Sequence, residues 1–129
     1  MSALYAGSPV VQATPSASHT NKEGYLVDLA SETATISSSA STPAKGVILD
    51  GGATTSDKSS IGILGVLPAP VRARASGTIA KFAEVQQAAD GTVVTDAGTG
   101  ARVIVGVALE AAVAGQLFAC AMHKPVARS

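Results

Sequence analysis

The chain has 129 residues, 47% of them hydrophobic and 14% charged, and its Lys and Arg equal its Asp and Glu in number. That length suffices for one domain with its own core, and the lone Cys120 excludes an internal disulfide. Basic residues scattered from Lys22 to Arg128 leave no footprint for nucleic acid, and no apolar run reaches the roughly 18 residues that span a bilayer.

The first segment, residues 1–21, is poor in charge and rich in Ser, Thr, Ala and Pro. Pro9 and Pro15 disfavour helix, and the composition offers little to bury, so it reads as an extended N-terminal arm. Leu4, Tyr5, Val10 and Val11 are its apolar anchors and the candidate partner-binding residues. The start has no basic residue and no sustained apolar stretch, which argues against a secretory signal and for folding in a reducing cytosol.

From residue 22 to 129 the chain is rich in Val, Ile and Thr, cut at short intervals by Gly, Asp-Gly or Pro. This is the punctuation of short antiparallel strands. Asp90-Gly91, ahead of Thr92-Val93-Val94, predicts a hairpin. Only Ala80 to Ala89 and Glu110 to Ala114 suit a helical turn, so at most one short helix is expected.

An internal echo organises this body. Lys45-Gly46-Val47-Ile48-Leu49-Asp50 matches Val105-Gly106-Val107-Ala108-Leu109-Glu110, and Pro70-Val71-Arg72 is set against Pro125-Val126-Ala127-Arg128. The two offsets differ, which places a short insertion in Gly51 to Ser60 of the first copy. The expectation is a mainly β, pseudo-symmetric sandwich or barrel of two related units, residues 22–72 and 77–128.

Chemistry is nearly present at several points. Gly52-Ala53-Thr54-Thr55-Ser56-Asp57-Lys58-Ser59 misses a phosphate-cradling loop at Asp57, which puts a Cβ and a negative charge where phosphate would lie. Gly98-Thr99-Gly100 lacks the third glycine of a dinucleotide turn and precedes a strand. Cys120 and His123 fall on opposite faces of a strand, and Cys120 reads as a core residue. His19 belongs to the arm, so no metal cluster forms, and no serine lies in a nucleophile elbow. No catalytic residue, metal or cofactor is assigned.

The run Gly77-Thr78-Ile79-Ala80-Lys81-Phe82, then Asp90-Gly91-Thr92-Val93-Val94, then Val105 through Phe118 with its Ala-rich link ending at Gly115, resembles the head decoration (capsid cement) proteins of tailed bacteriophages. With the weaker first copy included, the resemblance covers about residues 24 to 125. It implies a non-enzymatic protein on the capsid exterior, made in the host cytoplasm, that binds junctions between major capsid protein subunits and stabilises the shell. Neighbouring decoration subunits, in a dimer or trimer, are the second implied partner. In such proteins an arm adds a strand to a neighbouring chain. Another virion module of the tail or a fibre shares the composition. A small-ligand barrel walled by Tyr5, Tyr25, Phe82 and Phe118, or an enzyme built on Cys120 or His123, are contrasting alternatives.

Overall fold

A computed structural model describes residues 10–52, 57–66 and 70–129, and every regular element among them is a strand. The first five are β1 (Val10–Pro15), β2 (Leu26–Ala30), β3 (Thr33–Ile36), β4 (Gly46–Asp50) and β5 (Ser59–Ile63). They close into a barrel in the order β1-β3-β2-β4-β5, with β1 also paired to β5. The second five are β6 (Val71–Arg74), β7 (Glu84–Gln87), β8 (Val93–Thr95), β9 (Arg102–Ala108) and β10 (Leu117–Arg128). They form a curled sheet in the order β6-β10-β9-β7-β8.

The two units have one topology. Gly46 pairs with Val27 on β2 and Ile63 on β5; Gly106 pairs with Val85 on β7 and Met122 on β10. Both glycines allow close approach, since a Cβ would come within 2.4 Å of Ile61 Cγ2 in one case and of the Ala121 carbonyl oxygen in the other. Even the parallel closure repeats: Pro15 opposite Ala34 in the barrel corresponds to the single bridge Ala75 to Val93 that draws the second sheet's edges together.

Matched positions also fill the two interiors. Ala13, Val27, Ala34, Ile48 and Ile61 pack inside the barrel. Their counterparts Ala73, Val85, Val93, Ala108 and Cys120 belong to the larger cluster. Strand alternation turns Leu26 and Val47 out of the barrel and into that same cluster, together with Phe118, Val103 and Val105. One core therefore spans both units.

Several expectations are corrected. The first unit begins at Val10 rather than residue 22, because β1 closes the barrel through backbone bonds on both edges. Pro15 is tolerated because the parallel pairing uses Thr14 N–H to the Glu32 carbonyl and Ser16 N–H to the Ala34 carbonyl, which skips the proline. Val71 opens the second unit instead of ending the first: β6 pairs with the start of β10, so its counterpart is Val11 and the Pro125 match fails. The link from Ile48 to Ile61 is nearly as long as that from Ala108 to Cys120, so the insertion disappears. Ala80 to Ala89 forms a turn followed by β7, and Ala112 bridges to Ile79, so neither segment is helical. The Asp90-Gly91 hairpin is present between β7 and β8, with Asp90 Oδ1 accepting the Thr92 N–H and hydroxyl.

Candidate interaction surface

Some of the polar side chains are turned inward and paired there. His19 is buried in the loop between β1 and β2, not on an arm, with Nδ1 2.8 Å from Ser59 Oγ. Ser59 Oγ also accepts the Gly52 N–H at 2.9 Å. The arrangement that satisfies all three has the serine proton donated to a neutral imidazole, and burial holds the His19 pKa below its usual value. Ser59 is 0% exposed, so this serine and histidine fasten two loops and offer no nucleophile to a substrate. Of the polar segment expected to fail as a phosphate loop, residues 53–56 lie outside the described residues, and Asp57 and Lys58 lead straight into β5.

Cys120 stands where Ile61 stands in the first unit, and burial pushes its thiol up to about 12. His123 is exposed, with Nδ1 2.7 Å from the Lys124 carbonyl, and the two residues do not meet. Asp96 accepts from Gly98 N–H and pairs with Arg102, which together hold its carboxyl below the usual range. Among the described residues no three His, Cys, Asp or Glu gather at one point.

Two side chains that sequence spacing gave no means to single out join the units. Gln87, fully buried on β7, accepts the Ala44 N–H at 2.7 Å and donates to the Ser39 and Thr42 carbonyls at 3.1 and 3.0 Å. Arg74 donates to the carbonyls of Gly115 and Glu23, at 3.1 Å each, and lies over the Tyr25 ring.

Outward, the body presents several large apolar side chains. Leu4 and Tyr5 lie outside the described residues. Val10 is half-buried in β1, and Val11 is 37% exposed on the same strand, so both belong to the protein's own barrel. Among the described residues the most exposed large apolar side chain is Phe82, at 67%, with φ at +71°. Its turn bonds Phe82 N–H to the Ala108 carbonyl just as Gly24 N–H bonds to that of Ile48, so Gly24 is its counterpart. At Gly24 a Cβ would meet Leu117 Cδ2 at 2.6 Å, because the second unit packs there. Phe82 occupies the equivalent place and stays exposed, with Lys81 Nζ 5.0 Å from the centre of its ring. Val113, 55% exposed, projects from the loop bridged to Ile79 beside this turn.

A groove of about 430 Å³ opens where the units meet. Leu29, Ile63, Leu64 and Pro125 contribute its apolar wall, and Lys45 and Lys124 stand at it with no ion pair among the described residues.

No protein-family model matches the sequence, and no curated protein matches it. Among solved structures, the fold is similar to the N base of head fiber gp8.5 of bacteriophage phi29. The TM-score is 0.64 over 93% of this chain and 98% of that one, at 18% sequence identity, so the likeness is one of fold.

Proposed function

We propose that this protein is a non-enzymatic structural component of a bacteriophage virion, attached to the outside of the head where major capsid protein subunits meet, and that it reinforces the shell. The observation that carries the reading is the shared fold with a head fiber base over nearly the whole of both chains. The molecule's chemistry supports it: its thiol and its Ser59–His19 pair are sealed in the interior, while Phe82 and Val113 are presented to the outside.

Attachment of this kind rests on apolar contact and backbone pairing more than on ion pairs, because charged residues are so few. A cement that binds the assembled lattice and not its free subunits stabilises that lattice by its binding free energy, repeated at every site. The test is electron microscopy and heat release of DNA on particles with and without the protein. Density over capsomer junctions, together with greater resistance to DNA release and little loss of protein at raised salt, is the expected result. Equal resistance would overturn reinforcement.

The solved neighbour favours one second reading, a base that anchors a projecting fibre. Density confined to the foot of a fibre would select it, and density on the tail would overturn both.

A further inference from the structure

We infer that the groove at the junction of the units receives a stretch of chain from a partner protein, one that sets an aliphatic side chain beside a carboxylate. This stands apart from the virion reading and fails or holds independently of it.

The internal symmetry supplies a template. Leu29 and Ile63, which line the groove, follow the interior residues Val27 and Ile61 by two positions along their strands, so strand alternation turns them to the barrel's inner face. Their counterparts in the second unit are Gln87 and Met122. At Gln87 the place is filled by chain that belongs to no strand of the second unit. Residues 39–44 cross to it from the first unit, where Gln87 accepts the Ala44 N–H and donates to the Ser39 and Thr42 carbonyls. At the matching place in the first unit the described residues leave the groove open, and Leu29 is half-buried where Gln87 is fully buried.

The difference between the two places defines the occupant. Gln87 holds its segment through three backbone groups, which demands no particular side chain of it. Leu29 offers no such bonds. With Pro43, Ile63, Leu64 and Pro125 it makes an aliphatic wall, so an incoming chain is held there by an apolar side chain of its own. Lys45 and Lys124 are exposed beside that wall, and none of the described residues lining the groove is acidic. Two like charges next to an apolar surface select a carboxylate on the same incoming chain and disfavour a basic one.

The test titrates the full, isotope-labelled chain by NMR at low ionic strength with two capped hexapeptides, one alternating Leu with Glu and one alternating Leu with Gln. Saturable shifts of the Leu29, Lys45, Ile63 and Leu64 amide signals are expected with the Leu/Glu peptide, and several-fold weaker binding with the Leu/Gln peptide. Lys45→Gln combined with Lys124→Gln should bring the two peptides to equal affinity and leave the urea midpoint unchanged, since both side chains are exposed. No saturable shift with either peptide, equal affinity of the two for the parent protein, or a preference that survives the double substitution would each overturn the proposal. So would shifts centred on Phe82 and Val113 in place of the groove. Shifts of the groove signals on concentrating the protein without peptide would assign the groove to a second copy, and would overturn it as well.

Discussion

Phe82 shows at a single residue how a strained backbone and an exposed ring can stand apart from the core. Its left-handed backbone costs roughly 1–2 kcal/mol for a residue with a Cβ, and its ring contributes almost nothing to the core. Its counterpart Gly24 carries no such cost. Phe82→Gly should therefore raise the urea midpoint, by about 1 kcal/mol of stability, while weakening retention on the particle. A destabilised variant, or one that binds shells as well as the parent, would make Phe82 a plain turn residue. His19 gives a second prediction, and its sign is fixed by the direction of its shift. Because the folded pKa lies below the ordinary 6.5, the unfolded chain takes up the proton first, so stability is complete above pH 6.5 and declines as pH falls below it. Urea midpoints measured between pH 7.5 and 5 should fall, and His19→Gln should flatten that slope. A slope unaltered by the substitution would move the effect elsewhere; Asp90 and Asp96, whose pKa values are lowered, weaken the fold only at more acidic pH.

At the scale of elements, the latch from β7 to the segment ahead of β4 decides how the units sit. Gln87 satisfies three backbone groups of residues 39–44, and its counterpart in the first unit, Leu29, lines the groove instead. Gln87→Leu copies that counterpart at similar volume but strands Ala44 N–H and two carbonyls, and should cost on the order of 3 kcal/mol in denaturant unfolding. Leu29→Gln, beside solvent, should cost far less; equal losses would show that volume and not hydrogen bonding sets the energy. The contrast also explains what sequence could disclose. Gly46 and Gly106 stood out because both need a backbone passage that only glycine permits, and Asp90-Gly91 because turn chemistry is local. The strand at Val10–Pro15 was hidden, since its place depends on backbone pairing with chain far away rather than on its own hydrophobicity. Gln87, and the pairing of His19 with Ser59, were hidden for the same reason: each is a contact between residues distant in sequence.

Across the whole molecule, two units of one topology share a single core. The barrel has its own interior of Ala13, Val27, Ala34, Ile48 and Ile61, yet Leu26, Val47 and Leu64 are buried in the cluster shared with the second unit. Burying side chains of that kind is worth roughly 1.5–3 kcal/mol each. Together they approach the 5–15 kcal/mol by which a whole domain is typically stable. Removing the second unit would expose all three, along with the Ser39, Thr42 and Ala44 groups that Gln87 holds. The protein should therefore unfold in one transition, although it is built of two units. Tyr25 fluorescence, read in a Tyr5→Phe background, follows the first unit, accessibility of the Cys120 thiol follows the second, and far-ultraviolet circular dichroism follows both. All three should give the same urea midpoint, and a fragment of residues 1–66 should show no cooperative transition. Separate midpoints, or a fragment that folds by itself, would mean that the shared core is a contact between independent barrels.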